Sequence, residues 1–219
     1  MDLWRRITTA SQSHGLMISG AFHTAPDDAP ALPPNGTVVM LSPDEGAFWS
    51  DIQSQPEFAD GAPDPMDRWS ARVIGAMADD LGARAVFPFS GPPYLPFFTW
   101  ATRTGRAWVS PAVFLVHDRL GLYASYRGAL VFDALLDIPA PEMATAPCGT
   151  CAAPCLSACP VGAVAGGTYD VEACHDHLAT SAGQACLKGG CLVRQSCPVG
   201  ENCGRVRSQS AFHMAAFHP

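Results

Sequence analysis

The amino-acid sequence predicts an α/β protein, in which an N-terminal α/β sandwich precedes a smaller cysteine-rich module. Short apolar runs alternate with helical patterns over the first 137 residues, which is typical of strands separated by helices. All nine cysteines lie between Cys148 and Cys203. Three prolines fall within residues 138–147, and such a stretch favours an extended connector. We therefore expect an α/β domain over residues 1–137, a proline-rich linker over 138–147 and a separate module over 148–219.

The first predicted elements are two strands and a helix. Residues 15–22 (GLMISGAF) and 36–42 (GTVVMLS) are short apolar runs bounded by glycine or proline, as buried strands are. Residues 44–53 are expected to form a helix, for which Ser42 and Asp44 are candidate N-caps.

The clearest helical pattern begins at Asp64-Pro65, an N-cap followed by proline at the first helical position. Its apolar residues recur at the spacing of one buried face, and they are Met66, Trp69, Val73, Met77 and Leu81. Gly82 is the expected stop. Further strands are predicted at 83–89, 112–116 and 122–132. This βαβ-like order favours a three-layer sandwich.

Charge and hydropathy exclude some classes of function. The chain has 13 Lys and Arg against 20 Asp and Glu, for a net charge of -7, which argues against broad nucleic-acid binding. The longest stretch without charge, residues 85–102, contains four prolines, so we predict no membrane span. No apolar run follows the two N-terminal arginines, so we expect a cytoplasmic protein.

The spacing of the cysteines indicates metal chemistry. The segment reads Cys148-x2-Cys151-x3-Cys155-x3-Cys159-Pro160, followed by Cys174, Cys186, Cys191 and Cys197-Pro198. An odd count and the absence of an export pattern disfavour a disulfide framework. A structural zinc-binding protein is an alternative, because Cys148 and Cys151 form one Cys-x2-Cys pair and His175 and His177 flank Cys174.

Iron–sulfur clusters fit the motif better than zinc. Bacterial ferredoxins use Cys-x2-Cys-x2-Cys-x3-Cys-Pro, and this chain has that ending, with one extra residue between Cys151 and Cys155. Cys-Pro-Val-Gly recurs at residues 197–200, as expected of a two-cluster module with an internal repeat. The sequence therefore predicts [4Fe-4S] clusters, and the predicted ligands are Cys148, Cys151, Cys155, Cys159, Cys174, Cys186, Cys191 and Cys197.

The ferredoxin pattern also predicts how these cysteines pair. The cysteine before proline ligates the other cluster of the pair. Cys197 would then join Cys148, Cys151 and Cys155. Cys159 would join Cys174, Cys186 and Cys191. Because the second motif is irregularly spaced, a single cluster remains an alternative to two. Cys203 has no predicted partner and is expected to be a free surface thiol.

The segments CGTCAAPCLSACPVGA, YDVEACHDHL and GGCLVRQSCPVG resemble the C-terminal ferredoxin module of epoxyqueuosine reductase. They resemble more closely a group of short bacterial ferredoxin-type 4Fe-4S proteins. The lone Cys174, in Asp-Val-x-x-Cys, matches the place where the reductase module carries a single cysteine. The resemblance implies a ferredoxin-like iron–sulfur module.

Residues 100–131 resemble, more remotely, the stretch that covers cobalamin in epoxyqueuosine reductase, whose cobalamin domain is an α/β sandwich. This resemblance implies a cobalamin site on the N-terminal sheet. It carries an alternative function, that of a corrinoid- or flavin-dependent reductase fed by the clusters. However, residues 87–100 contain no Asp or Glu where the reductase carries its general acid, so a proton donor is missing. Catalytic and cofactor-contacting residues therefore stay unassigned.

The sequence as a whole predicts an iron–sulfur protein that transfers single electrons to or from a redox partner protein. We expect neither nucleic acid nor a membrane as a partner. Lys188 and Arg194 lie among the cysteines and are expected to raise the cluster potential, because cations stabilise an anionic cluster.

Overall fold

The computed structural model describes residues 2–28, 30–141 and 145–219. The chain forms two compact units: Met1–Arg106 with Ser125–Glu142, and Ala107–Ala124 with Met143–Pro219. The sequence assigned residues 107–124 to the N-terminal domain, whereas here they belong to the unit that carries the cysteines. Part of the predicted linker, residues 142–144, lies outside the described residues.

The first unit contains most of the predicted sheet. Its strands are β1 (Leu16–His23), β2 (Thr37–Pro43), β3 (Arg84–Val86) and, after the second unit's hairpin, β6 (Gly128–Phe132). They lie in the order β1-β2-β6-β3, and each neighbouring pair is antiparallel. The βαβ-like order predicted from the sequence is therefore wrong for this sheet. Apolar runs mark strands but do not specify the direction of the neighbouring strand.

Five α-helices are described in the first unit, besides a 3-10 turn at Pro26–Asp28: α1 (Leu3–Gln12), α2 (Glu45–Gln53), α3 (Pro56–Ala59), α4 (Pro65–Leu81) and α5 (Phe97–Arg103). The predicted helices at 44–53 and 65–81 are confirmed. All five predicted apolar positions of α4 are buried, and Gly82 ends the helix with φ of 69°, a left-handed conformation that glycine adopts without steric cost. Asp64 precedes α4, but its side chain makes no capping hydrogen bond.

Three helices of this unit, α1, α3 and α5, were not predicted. Helix α1 begins after Asp2, whose carboxylate accepts a hydrogen bond from the Arg5 amide at 2.8 Å. Helix α5 follows Pro96, and the prolines that precede it made a helix difficult to predict from the sequence pattern. Both β2 and β6 are buried along their whole length, so the centre of the sheet is the core of this unit.

The second unit is built from a hairpin and a series of short helices. The hairpin pairs β4 (Ala107–Val109) with β5 (Leu115–His117) in antiparallel register. The helices are α6 (Val171–Leu178), α7 (Gln184–Gly189), α8 (Leu192–Gln195) and α9 (Arg207–Phe217). One buried core joins Val116 of β5 and the following Leu122 to Cys155, Val193 and Cys197, which explains why residues 107–124 belong with the cysteines.

Within the described part of the chain, no helix has both the length and the apolar character needed to cross a membrane.

Candidate metal centre

Electrostatic interactions divide eight of the cysteines into two groups. Burial, and then the charges of three other thiols, raise the pKa of Cys148; those thiols are Cys151, Cys197 and Cys155. Burial likewise raises the pKa of Cys155, and Cys197 and Cys151 add to that rise. Because such effects act over short distances, these four thiols are near neighbours. We call them the first quartet: Cys148, Cys151, Cys155 and Cys197.

The remaining four interact in the same way. Burial raises the pKa of Cys186, and the charges of Cys191, Cys159 and Cys174 raise it further. Burial also raises the pKa of Cys174, to which Cys191 and Cys159 contribute. We call these the second quartet: Cys159, Cys174, Cys186 and Cys191. The division coincides with the crossed pairing expected from the sequence, in which Cys159 and Cys197 each leave their own motif.

Short turns position the first quartet. Cys148 lies in the 3-10 turn Pro147–Thr150 and Cys155 in the turn Pro154–Leu156. Each turn begins at a proline, which suits the first helical position because its missing N–H would have no partner there. The Ala153 amide donates a hydrogen bond to Cys151 Sγ at 3.4 Å. Such N–H donors stabilise thiolates and cluster sulfurs.

The hairpin forms one wall of the first quartet. A small cavity is lined by the four thiols together with Ser110 and Pro111 of the hairpin loop, Val116 of β5, and Leu122. In the turn that follows β5, Gly121 approaches so closely that a Cβ added there would lie 3.0 Å from Cys197 Sγ. Cys155 and Cys197 are only 7% and 8% exposed, so this apolar wall shields their sulfurs from water.

Helix ends and side chains position the second quartet. Cys174 lies in α6, which begins where the Asp170 carboxylate accepts a hydrogen bond from the Ala173 amide at 2.9 Å. The Tyr169 hydroxyl donates a hydrogen bond to Cys174 and lowers its pKa, although burial raises that pKa by more. Cys186 lies in α7 and accepts a hydrogen bond from the Leu192 amide. The second quartet therefore has its own set of hydrogen-bond donors.

Cys159 gains its donor from the turn that follows it. The Ala163 amide donates to Cys159 Sγ at 3.3 Å, and the Gly162 amide donates to the Cys159 carbonyl at 3.1 Å. Gly162 has φ of 65°, which a residue without Cβ adopts at no steric cost. The turn after Pro160 thus supplies an N–H donor to Cys159.

Arg194 places a cation beside the second quartet. Its guanidinium donates a hydrogen bond to the Leu122 carbonyl and stacks over the Phe114 ring at 4.7 Å. Desolvation lowers the pKa of Arg194, and the neighbouring Cys191 opposes that shift. The side chain therefore lies close enough to Cys191 to stabilise a negative charge there. Lys188, the other predicted cation, is exposed.

The donor set consists of soft thiolates, the ligand type that iron–sulfur clusters use. Within the described parts of the chain, no group of three or more His, Cys, Asp or Glu converges closely enough for one metal ion. Zinc bonds of about 2.3 Å would hold four sulfurs about 3.8 Å apart. A cubane carries one iron at each of four corners, so its cysteine ligands surround it more widely. Soft thiolates, N–H donors and an apolar wall are also what such clusters use.

The remaining sequence candidates lie elsewhere. His175 Nδ1 lies 2.7 Å from His218 Nδ1, so that histidine is engaged with another histidine. Cys203 is partly buried and lies beside Tyr123, where burial and then the Cys203 charge raise the pKa of the tyrosine. None of the nine cysteines, all of which the structure describes, forms a disulfide.

Sequence reasoning missed the residues that the hairpin brings to the site. Ser110 and Gly121 lie at least 27 positions before Cys148, and nothing in their local pattern marks them as neighbours of a thiol. Tyr169 was also missed. Its place five residues before Cys174 is a signal only once the position of α6 is known.

Comparison with protein-family models finds no match to this chain, and comparison with the curated proteins finds none either.

Proposed function

We propose that this protein is an iron–sulfur protein that holds two [4Fe-4S] clusters, one in each quartet, and transfers single electrons. The observation that carries the proposal is the division of eight thiols into two sets of four. Each set exchanges one cysteine with the neighbouring motif, as the ferredoxin pattern requires. If each motif bound a single metal ion with its own cysteines, Cys159 and Cys197 would each lie with the other cysteines of their own motif.

The surroundings of the thiols support electron transfer. When bound, a [4Fe-4S] cluster accepts or releases one electron at its irons, and its potential depends on hydrogen bonds to sulfur, net charge and exposure to water. The Ala153 and Ala163 amides supply hydrogen bonds to Cys151 and Cys159. Arg194 supplies a positive charge next to Cys191. These groups would stabilise the reduced cluster, and they would not themselves form or break a covalent bond.

The electron balance requires a partner. A cluster that gains one electron needs a donor that loses one, and we expect that donor to be a redox protein. Thiols that must stay reduced for cluster assembly suit the cytoplasm. The net charge of -7 disfavours nucleic acid as a partner.

Iron and acid-labile sulfide analysis of anaerobically purified protein tests the proposal. Two clusters give about eight of each per chain. About four of each would leave a single cluster and overturn the assignment of one quartet. Zinc without sulfide would overturn the proposal and favour the structural zinc alternative.

Alanine variants test the division into quartets. Cys155 and Cys159 are near neighbours in sequence but lie in different quartets, whereas Cys155 and Cys197 lie in one. We expect Cys155→Ala with Cys197→Ala to retain about four irons, and Cys155→Ala with Cys159→Ala to lose nearly all. Cys203→Ala is the matched control and retains the wild-type iron. If both double variants retain equal iron, the crossed pairing is incorrect.

The reductase alternative is tested with the same preparation. Incubation with cobalamin or flavin, followed by gel filtration, shows whether a visible chromophore stays bound beyond the cluster absorption. Retention of a chromophore in equal amount with the protein would favour a corrinoid- or flavin-dependent reductase over a protein that only carries electrons.

A further inference from the structure

The hydroxyl of Ser110 has no hydrogen-bond partner among the described residues, although the residue is only 4% exposed. The backbone of Ser110 is fully used: its amide donates to the Phe114 carbonyl and its carbonyl accepts from the Val113 amide, both at 2.9 Å. The side chain is therefore not needed for this turn. Buried hydroxyls nearly always form a hydrogen bond, so an unpaired one indicates a missing partner.

The place of Ser110 suggests that partner. Ser110 lines the same cavity as the four thiols of the first quartet. Among the described residues of that lining, Ser110 has the one polar side chain besides the thiols. The others are apolar: Pro111, Val116, Leu122, Ala153, Pro154 and Pro198. Among the side chains of this lining, the thiols, or a group that they hold, are the acceptors available to the hydroxyl.

We propose that Ser110 donates a hydrogen bond from its hydroxyl to a sulfur of the cluster held by the first quartet, and so raises the reduction potential of that cluster. The inference rests on the proposed function. A hydrogen bond to sulfur stabilises the reduced form more than the oxidised form, because the reduced form carries one more negative charge. Ser110 thus acts on the cluster through a hydrogen bond to sulfur, and it is not a metal ligand.

The effect is confined to one cluster. Tyr169 and Arg194 act on the second quartet through Cys174 and Cys191, whereas Ser110 lines the cavity of the first quartet. Removal of the Ser110 hydroxyl should therefore lower one potential and leave the other unchanged.

Redox titration of the full-length holoprotein, followed by electron paramagnetic resonance, tests the inference. We expect Ser110→Ala to lower the ratio of reduced to oxidised first cluster about tenfold at a fixed applied potential. For a one-electron couple this corresponds to a reduction potential lower by about 59 mV. Ser110→Thr keeps the hydroxyl and should keep the wild-type potential. The control is Ser196→Ala, because the Ser196 hydroxyl already donates to the Val193 carbonyl at 2.9 Å; its potentials should not change.

The possible results separate the inference from the proposed function. Wild-type protein without iron and sulfide would overturn both. Two clusters with the same potentials in Ser110→Ala as in the wild type would overturn the inference alone. If Ser110→Ala fails to load the first cluster, the pair Ser110→Thr and Ser110→Val decides, since the two side chains have the same shape. Equal potentials in that pair would overturn the role of the hydroxyl, and a lower potential in the valine variant supports it.

Discussion

Gly121→Ala is the substitution that tests most directly how the turn after β5 positions the first quartet. Gly121 has φ of 54°, in the left-handed region where a Cβ costs about 1–2 kcal/mol. A Cβ at this position would also lie 2.5 Å from the Gly200 nitrogen, about 0.9 Å less than the 3.4 Å at which ordinary contact begins. Because the obstacle is backbone, the Cys197–Gly200 segment must move away from the hairpin.

The expected magnitude combines these two effects. Forced repacking of a close contact costs about 1–3 kcal/mol, so Gly121→Ala should lower the free energy of unfolding by about 2–5 kcal/mol. The same shift displaces Cys197 Sγ, which lies 3.0 Å from the added carbon. We therefore expect loss of the first cluster and retention of about four irons.

Gly166→Ala is the matched control. Gly166 also has positive φ, 74°, but a Cβ there meets nothing within 4 Å, so only the backbone cost of about 1–2 kcal/mol applies. The assays are urea unfolding of the metal-free proteins and iron analysis of the loaded ones. If Gly121→Ala has the same stability and the same iron content as Gly166→Ala, the turn after β5 does not position Cys197.

Three further predictions concern charge and protonation. Arg72→Gln should lower the free energy of unfolding at neutral pH by at most about 1 kcal/mol, because Arg72 contacts Glu57 at 2.5 Å but is half exposed to screening water. Since the hydrogen bond from Arg72 lowers the pKa of Glu57, this difference from the wild type should be present above pH of about 4.3 and disappear as the pH falls further. Burial raises the pKa of Cys155 and Cys186, so the metal-free protein should be most stable below pH of about 8.5 and lose stability as the pH rises through the folded-state values. Tyr169→Phe removes a hydrogen bond to Cys174 and should lower the potential of the second cluster in a redox titration.

Each of these has a result that would contradict it. A constant difference between Arg72→Gln and the wild type down to pH of about 2 would show that Glu57 does not drive it. A thermal midpoint of the metal-free protein that stays constant between pH of about 7 and 10 would contradict the prediction that the raised pKa values of the buried thiols make stability fall at high pH. If Tyr169→Phe instead changes the potential of the first cluster, the Tyr169 hydroxyl acts on the first quartet, which contradicts its assignment to the second.

Much of the first unit could be predicted because its elements are encoded locally. The apolar runs at 15–22 and 36–42 become β1 and β2, and the periodic pattern after Asp64 becomes α4. Predicted strands at 83–89, 112–116 and 122–132 are shorter or shifted in the structure. Helix α5 was missed because its residues follow a run of prolines that dominates the local pattern.

The cysteines of the candidate site, and the pairing expected of them, follow from the spacing of the sequence alone. In this segment prolines and short turns place several of the thiols, so candidate ligands can be proposed from local spacing without a structure. Metal loading itself stays a prediction, and so does the resemblance to the epoxyqueuosine reductase module.

The sequence by itself determined which residues carry soft sulfur, where the strong helix lies, and that the chain has an apolar N-terminal part and a thiol-rich C-terminal part. Only the tertiary structure decided that the sheet is antiparallel and that residues 107–124 leave the N-terminal part to form a wall beside Cys155 and Cys197. The physical reason is that strand direction and contacts between distant segments depend on which apolar surfaces bury one another. Strand direction and these long-range contacts depend on the whole chain, so the local spacing of residues does not predict them.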